Sequence, residues 1–420
     1  MKIHCLFVCF YFLILHSYAQ QLDVKFSRDG LLVFKELKMI SSHIIDFDVI
    51  EDSKINVLYE SDGKKRLTRL YKDGKKELHF NITSSNLNNQ NTIPVGMSSK
   101  SDGSVLVLSN FWNGYSWMIS INGFYEDGSV DHEFGHSGVY KKNILNNLDD
   151  NYGQYIYASS NNEIIVVAKV RDINVSNKKE KIAILKLSDI GETLSSSLYD
   201  DHHFTLNCSA MEDDYLLLAY SESVDNGEEQ STYLAGFDSN QMASNNLYCL
   251  TIEEDYQSFD HIVLSNEELY TSQMENASEG VYRIRKYGAK GNLETSFFDS
   301  GEMGFSADIY NTDFVVNEEG EVFVISTSLD SEFEILIKKL LSNGDIDTDY
   351  GTNGVASVFL KYPILSLNKI RLGVKNELYI SGAMSIEGDS FGFITKLKLN
   401  IQQLKREKLE KFLENLFTKE

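Results

Sequence analysis

Charged side chains recur just before several apolar runs of this sequence, at positions where acid–base chemistry could be carried out. They are Asp46, Asp48, Asp260, His261, Asp313, Lys369 and Arg371. Two carboxylates separated by about 5 to 9 Å can hydrolyse a glycosidic bond, and a neighbouring histidine or lysine can transfer a proton. If these side chains converge, they are candidates for hydrolysis or elimination in a polysaccharide. The alternative is that they are polar residues of a structural channel, and we therefore assign no catalytic residue.

A second group of candidate residues is aromatic. One short stretch holds Phe111, Trp112, Tyr115 and Trp117, which include the only two tryptophans of the chain. Aromatic side chains contribute large contact areas to binding sites, so this stretch is a candidate binding site for a protein or a glycan. In the alternative interpretation, Trp117 belongs to the core and Trp112 only covers the edge of a sheet.

The metal-binding patterns of the sequence are incomplete. Asp345, Asp347 and Asp349 begin like a calcium loop, but the sixth and twelfth positions hold Tyr350 and Ala356 in place of glycine and glutamate. We therefore predict no metal ligands and no cofactor.

The chain is organised around a repeated sequence motif, which we call the phrase. It reads EDGSVDHEFGHSGV at Glu126–Val139 and SNGDIDTDYGTNGV at Ser342–Val355, and weaker copies lie at Ala289–Phe305 and Leu22–Leu31. Asp-Gly and Asn-Gly favour tight turns, and a phrase that recurs at a fixed interval indicates a repeat architecture. We expect the phrase to join two strands, with its aromatic residue filling the gap between neighbouring repeats.

The strand pattern predicts the fold. Seven short apolar runs follow polar turns at intervals of about 50 to 60 residues, and they are Lys54–Tyr59, Ser104–Leu108, Glu163–Ala168, Tyr215–Tyr220, Glu268–Thr271, Glu321–Ile325 and Glu377–Ile380. One strand precedes each run and two follow it. Four antiparallel strands repeated seven times are typical of an all-β, seven-bladed β-propeller, which we place at residues 20–400.

The two ends of this domain complement each other. The last repeat lacks a fourth strand, whereas Leu31–Leu37 is an isolated strand at the other end of the domain. The sequence therefore predicts that the N-terminal strand completes the seventh blade and removes an exposed sheet edge.

The phrase resembles the delta-60 repeat of secreted bacterial β-propellers. Asp127-Gly128, Val130-Asp131, Phe134-Gly135 and Gly138-Val139 match that repeat, as do the corresponding pairs from Asn343 to Val355. The resemblance implies a propeller fold and secretion, and it implies no catalytic residue.

The composition and the N-terminus limit the location and the partners. Residues 1–19 combine Lys2, an apolar run and a small-residue cleavage site, which is typical of a signal peptide. With 62 acidic and 39 basic residues, the net charge of −23 disfavours nucleic acid as a partner. We expect a monomeric, exported protein without a membrane span, in the medium, on the cell surface or in the periplasm. Cys208 and Cys249 fall on the first and last strands of one blade, too far apart for a disulfide.

The final segment, residues 401–420, has helical periodicity. One stripe carries Leu409, Phe412, Leu413, Leu416 and Phe417. This segment is either a cap on the last blade or a docking helix for a partner.

Two functions are compatible with these patterns. The first is an exported, non-enzymatic recognition or scaffold module for a protein or a polysaccharide. The second is a glycoside hydrolase or polysaccharide lyase that acts at the central channel.

Overall fold

The structure is a computed structural model. It describes residues 22–35, 41–50, 53–82, 87–144, 149–172, 180–199, 204–212, 214–223, 230–238, 248–254, 259–266, 268–275, 281–288, 292–298, 300–305, 309–328, 330–373 and 377–398. The predicted signal peptide and the predicted C-terminal helix lie outside the described residues. No helix in the described part is long and apolar enough to cross a membrane.

The described chain forms seven four-stranded antiparallel sheets, which are the blades of a seven-bladed β-propeller. This confirms the predicted fold. In six blades each strand pairs antiparallel with the next strand along the sequence, and in the seventh blade the N-terminal strand pairs with the last described strand. The first strand of each blade lies nearest the central channel and the fourth lies at the periphery.

The strands follow the chain in order. Blades 1 to 3 contain β2 (Ser42–Val49), β3 (Ile55–Ser61), β4 (Lys64–Leu70), β5 (Lys76–Ile82), β6 (Thr92–Ser99), β7 (Val105–Trp112), β8 (Trp117–Phe124), β9 (Val139–Lys142), β10 (Asp150–Ala158), β11 (Ile164–Arg171), β12 (Glu180–Leu187) and β13 (Thr193–Tyr199). Blades 4 and 5 contain β14 (Phe204–Glu212), β15 (Tyr215–Ser223), β16 (Gln230–Asp238), β17 (Tyr248–Glu254), β18 (His261–Ser265), β19 (Glu268–Glu275), β20 (Val281–Tyr287) and β21 (Glu302–Phe305). Blades 6 and 7 contain β22 (Ile309–Val316), β23 (Val322–Ser328), β24 (Glu334–Leu340), β25 (Val355–Phe359), β26 (Ile364–Gly373), β27 (Glu377–Ile386), β28 (Asp389–Lys398) and the N-terminal strand β1 (Leu31–Val33).

The N-terminal strand closes the ring as predicted, although it is shorter than the expected Leu31–Leu37. Strand β1 pairs antiparallel with β28, with Leu31 opposite Thr395. The amide of Asp23 also donates to the carbonyl of Lys396 at 2.8 Å. Because β28 would otherwise present a free edge, this pairing protects the seventh blade from intermolecular strand addition.

Among the described residues, the hydrophobic core consists of seven clusters, one at each junction between neighbouring blades. The second strand of a blade contributes to both of its junctions. In β7, Val105 and Val107 pack toward blade 1, whereas Leu106 and Leu108 pack toward blade 3. Since both faces of this strand are buried, its sequence is continuously apolar and does not alternate.

The repeated phrase has the structural role that we expected. Phe134 is fully buried between blades 2 and 3. Asp131 holds the turn, because its Oδ1 accepts from the amides of Glu133 at 3.1 Å and Phe134 at 3.3 Å. Gly135 has a φ of 58°, and a Cβ there would lie 2.5 Å from the carbonyl oxygen of Val139. The turn therefore requires glycine at this position.

A second repeated feature, which we did not predict, is a lysine with a mostly buried side chain on the third strand of four blades. Each lysine pairs with a glutamate just before or at the start of the second strand, and the pairs are Lys186–Glu163, Lys286–Glu268, Lys339–Glu321 and Lys396–Glu377 at 2.6 to 2.8 Å. Two of these lysines also face the aspartate of the phrase, since Lys339 lies 2.9 Å from Asp347 and Lys396 lies 3.6 Å from Asp23. The regular recurrence of lysine and glutamate could have revealed the pairs in the sequence.

The cysteines occupy the predicted strands. Cys208 lies on β14 and Cys249 on β17, with two strands of the same sheet between them. The thiol of Cys208 is free and buried, and burial raises its pKa.

Candidate functional site: an aromatic platform and the central channel

The antiparallel topology divides the connections between two faces of the propeller. The upper face carries the connections from the second to the third strand of each blade and from one blade to the next. The lower face carries the first-to-second and third-to-fourth turns. The aromatic stretch from Phe111 to Trp117 connects β7 to β8, so it lies on the upper face of blade 2.

A tight turn presents the two tryptophans next to each other. The Oδ1 of Asn113 accepts from the amides of Tyr115 at 2.8 Å and Ser116 at 2.9 Å, which closes the turn. Trp112 and Trp117 are cross-strand partners at its base. Their ring centroids lie 5.5 Å apart and their planes are tilted by 54°. Such a tilted arrangement is favourable for aromatic pairs.

A third ring comes from the neighbouring blade. Tyr152 lies on β10, the first strand of blade 3, and its ring centroid is 6.1 Å from that of Trp117. All three side chains are half-buried, so part of each remains open to solvent. We call Trp112, Trp117 and Tyr152 the aromatic platform.

The carboxylate of Asp150 connects the blade 2 part of the platform to the blade 3 part. The Oδ1 of Asp150 accepts from the amide of Trp117 at 3.0 Å, and its Oδ2 accepts from the hydroxyl of Tyr152 at 3.2 Å. Burial and the nearby charge of Asp150 raise the pKa of Tyr152. Tyr152 therefore stays a neutral phenol, and the platform does not titrate near neutral pH.

A charged pair borders the platform. Arg171 and Glu180 face each other across β11 and β12, with Nη2 and Oε1 2.6 Å apart. The guanidinium offers donors and the carboxylate offers acceptors, so this border can bind ligand hydroxyl groups.

The other two predicted aromatic residues have different positions. The ammonium of Lys141 lies 3.6 Å from the ring centroid of Phe111, which covers one face of that ring. Tyr115 projects from the tip of the turn and is 77% exposed. The structure thus brings Trp112 and Trp117 together, while Phe111 contacts Lys141 of β9. Trp117 is neither a core residue nor fully exposed.

Sequence reasoning did not identify Tyr152, Asp150, Arg171 and Glu180 as members of this site. They belong to blade 3, and their contact with the loop of blade 2 depends on how neighbouring blades pack. The sequence carries one indirect signal, because the connection between β11 and β12 joins a second to a third strand, as the aromatic loop does, and such connections share one face.

The channel candidates belong to a ring of equivalent positions. In six blades the ring residue is the first one after a β-bulge in the innermost strand, and in blade 5 it is the first residue of β18. The ring contains Asp46, Gly96, Tyr155, Cys208, His261, Asp313 and Lys369. We call this set the channel ring.

Several members of the channel ring join their blade to the next one. The Oδ2 of Asp46 accepts from the amide of Met97 in blade 2 at 2.9 Å. The hydroxyl of Tyr155 donates to the carbonyl of Asn207 in blade 4 at 3.3 Å. Lys369 in blade 7 donates to Oδ1 of Asp46, which joins blade 7 to blade 1. The polar residues of the ring therefore have a structural role.

The channel acids are largely engaged by these contacts. Asp46 accepts from Lys369 and from the amides of Phe47 and Met97. The Oδ2 of Asp48 accepts from the amide of Ser99 at 3.2 Å. These contacts make both carboxylates part of the framework that holds neighbouring blades together.

A second acidic group lies across the junction of blades 5 and 6. His261 Nδ1 is 3.5 Å from Asp313 Oδ1, which also accepts from the amide of Phe314 at 2.8 Å. Asp260 precedes the channel ring, and its Oδ2 accepts from the amide of Met274 at 2.7 Å. Desolvation by the surrounding protein raises the pKa of Asp260.

The remaining predicted cations lie in blade 7. Burial and the neighbouring Arg371 lower the pKa of Lys369. Arg371 donates to the carbonyl of Ile370 at 3.0 Å and makes no ion pair with a described residue. Within the described ranges, no three histidine, cysteine, aspartate or glutamate residues are grouped so that they could hold a metal ion.

Comparison with known structures supports the assignment of a β-propeller fold. No protein-family model matches the sequence, and no curated protein matches it. The polysaccharide lyase Uly1 superposes with a TM-score of 0.53 at 10% identity, over 86% of this chain and 91% of that chain. Prolyl oligopeptidase B from Galerina marginata superposes with a TM-score of 0.52 at 10% identity, over 86% of this chain and 52% of that chain. At this level of identity the likeness shows the seven-bladed propeller fold and nothing finer.

Proposed function

We propose that this protein is an exported recognition module that binds a polysaccharide on the upper face of blades 2 and 3. The observation that carries the proposal is the aromatic platform. Its three rings come from two blades, remain partly open and are held in place by Asp150. Rigid aromatic surfaces with little side-chain entropy to lose are effective binding anchors.

The chemistry of the platform favours a sugar over a protein surface. Sugar rings offer C–H faces that can stack on Trp112 and Trp117, and hydroxyl groups that can bond to the pair of Arg171 and Glu180. The site also consists of few rings in a mainly polar surrounding. A protein interface usually needs a larger buried apolar centre than this.

Export and family membership are part of the proposal. The pattern of residues 1–19 supports a cleaved signal peptide, and the phrase at residues 126–139 supports descent from delta-60 repeats. A polysaccharide ligand is consistent with a location in the medium, on the cell surface or in the periplasm. Residues 401–420 then remain available either as a cap or as a docking helix that carries the module to a partner.

A second candidate function is hydrolysis or elimination of a polysaccharide at the channel. The observation in its favour is the raised pKa of Asp260, beside the facing side chains of His261 and Asp313. A carboxyl group with a raised pKa can serve as a general acid. Against it, the carboxylates of Asp46 and Asp48 accept from Lys369 or backbone amides, and Asp313 accepts from a backbone amide.

Affinity gel electrophoresis tests the proposed function. The mature protein would be run in gels that contain neutral or acidic polysaccharides, together with Trp112→Ala and the matched control Phe333→Ala. Phe333 is an exposed aromatic residue in the corresponding upper-face connection of blade 6. We expect Trp112→Ala to weaken retardation about tenfold or more, because a buried aromatic anchor contributes about 2 kcal/mol, and Phe333→Ala to leave it unchanged. Equal retardation of all three proteins would contradict the proposal.

The same polysaccharides separate the two candidates. If the protein binds without forming new reducing ends or unsaturated products, the recognition function stands. If products form and Asp260→Asn abolishes them, while Trp112→Ala only weakens substrate binding, the channel enzyme is correct.

A further inference from the structure

A cavity opens on the lower face, on the opposite side of the propeller from the aromatic platform. It has a volume of about 380 Å³. Its wall is formed by the C-terminal ends of the innermost strands β2, β6, β10 and β14 and by the turns that follow β6 and β10. This volume lies within the range of small-molecule sites, which starts at about 300 Å³.

The lining of this cavity is rich in hydroxyl groups. It consists of Asp48, Ser98, Ser99, Ser101, Tyr157, Ala158, Ser159, Ser160 and Met211. Five serines, one tyrosine and one carboxylate surround two apolar side chains, and none of these lining residues is cationic. The cavity is thus polar on most sides, with an aromatic ring and a thioether as its apolar part.

The rim of the cavity is fixed by contacts between successive blades. Ser101 donates from its amide and its hydroxyl to Oδ1 of Asn162, at 3.3 and 3.0 Å. Ser160 donates to Oδ2 of Asp214 at 3.0 Å. These bonds tie the lower turns of blades 2, 3 and 4 together, so the opening is formed before any ligand arrives.

Several polar groups inside the cavity can form further hydrogen bonds. The Oδ2 of Asp48 accepts from the amide of Ser99, which leaves Oδ1 without a hydrogen bond to a described residue. Ser98 accepts from the amide of Ala158, and Ser99 accepts from Asn56. Both serines therefore retain a hydroxyl proton that they can donate.

The carboxylate, the hydroxyl groups and the apolar side chains of the cavity together favour one class of ligand. A ligand must donate to Asp48 and accept from Ser98 and Ser99, and a hydroxyl group does both. An anion would meet the carboxylate of Asp48 directly, whereas Lys369 and Arg371, which interact electrostatically with Asp48 and Tyr157, are not among the lining residues. A metal ion would find a single carboxylate with no second one among the lining residues. The ring of Tyr157 and the side chain of Met211 suit the C–H face of a compact ring.

We propose that the lower-face cavity binds a neutral polyhydroxylated small molecule the size of a single sugar ring. This site is separate from the aromatic platform and does not depend on it. The protein would then hold a free monosaccharide or cyclic polyol on one face and a polysaccharide on the other.

Isothermal titration calorimetry of the mature chain with glucose, galactose and myo-inositol tests this proposal. Asp48→Asn keeps the shape of the side chain and can still accept from Ser99, but it removes the free acceptor oxygen. Ala158→Leu places a larger side chain in the cavity and leaves the backbone bond to Ser98 intact. The control is Asp345→Asn, which removes an equal charge from an exposed turn of blade 6.

We expect millimolar binding of at least one probe by the parent protein and by Asp345→Asn. Both cavity variants should weaken it about tenfold or more, which corresponds to at least ~1.4 kcal/mol. If Ala158→Leu fails to fold, Asp48→Asn decides alone because it is isosteric. Absence of binding by the parent protein, or binding that Asp48→Asn leaves unchanged, would overturn the proposal.

Discussion

At the scale of single residues, the buried lysine of blade 7 combines two tasks. Lys396 has a side chain that is 3% exposed, and its ammonium group lies 2.8 Å from Glu377 and 3.6 Å from Asp23. It therefore neutralises a carboxylate of its own blade and one from the N-terminal segment. A charge that is removed from water in this way is tolerated only because it is paired.

We predict that Lys396→Met lowers the free energy of unfolding by about 3 kcal/mol, since it leaves Glu377 without its cation and the buried Asp23 with Lys398 as its remaining cation. The matched control is Lys75→Met, which breaks an exposed pair with Asp73 at 2.7 Å and should change the stability by less than about 1 kcal/mol. Denaturant unfolding measures both variants. Equal losses of unfolding free energy in the two variants would show that the burial of Lys396 does not increase its contribution to stability.

Asp260 leads to a prediction about pH. Because burial raises the pKa of this carboxyl in the folded state, its protonated form is favoured by folding. Its contribution to stability is present at pH values below the ordinary aspartate pKa and is lost as the pH rises through the raised value. The Asp260→Asn variant should therefore gain stability relative to the parent protein as the pH rises from 4 to 7. Thermal unfolding at several pH values checks this, and a difference that does not vary with pH would contradict the shift.

At the scale of elements, the turn of the repeated phrase depends on glycine. Gly351 has a φ of 58°, and a Cβ there would lie 2.1 Å from the carbonyl oxygen of Val355. Gly63 also has a positive φ, of 72°, but a Cβ there would meet nothing within 4 Å. Alanine substitutions at these two positions therefore separate the cost of a positive φ from the cost of a steric clash with the backbone.

We predict that Gly63→Ala costs about 1 kcal/mol and that Gly351→Ala costs clearly more, about 3 kcal/mol or above. The first value reflects the positive φ alone, and the second adds the displacement of the start of β25. Unfolding in denaturant would measure both. Similar losses at the two sites would mean that the turn rearranges to admit a side chain.

The N-terminal strand is the element that closes the ring. Deleting residues 22–35 should expose the edge of β28 and leave the pocket of Phe26 empty. We predict that this variant self-associates, because an unpaired edge accepts another strand. Light scattering after size-exclusion chromatography would detect it. A variant that stays monomeric and as stable as the parent protein would show that closure by β1 is dispensable.

The elements were largely predictable from the sequence, whereas the contacts between them were not. Apolar runs at regular intervals, such as Glu321–Ile325, identify the second strand of each blade, and the phrase identifies the turn that follows the third. The β-bulges that align Asp46 with Lys369 leave no mark in the pattern of apolar residues. For the same reason, Tyr152 could not be assigned to a site formed mainly by the loop of blade 2.

At the scale of the whole molecule, the propeller carries its two candidate binding sites on opposite faces. The junction clusters and the channel ring bind the blades to one another, so they hold the fold rigid. The aromatic platform lies on the upper face and the hydroxyl-lined cavity opens on the lower one. A rigid closed ring with a net charge of −23 keeps such sites exposed without promoting association.

The two tryptophans permit the most direct test of the central claim. Trp112 and Trp117 are the only tryptophans of the chain, and both belong to the aromatic platform, so tryptophan fluorescence reports on this site alone. The protein would be titrated with oligosaccharides prepared from the polysaccharides that retard it. We predict a saturable change in emission that matches the affinity measured by retardation. Oligosaccharide binding without any change in tryptophan emission would place the ligand elsewhere and contradict the account.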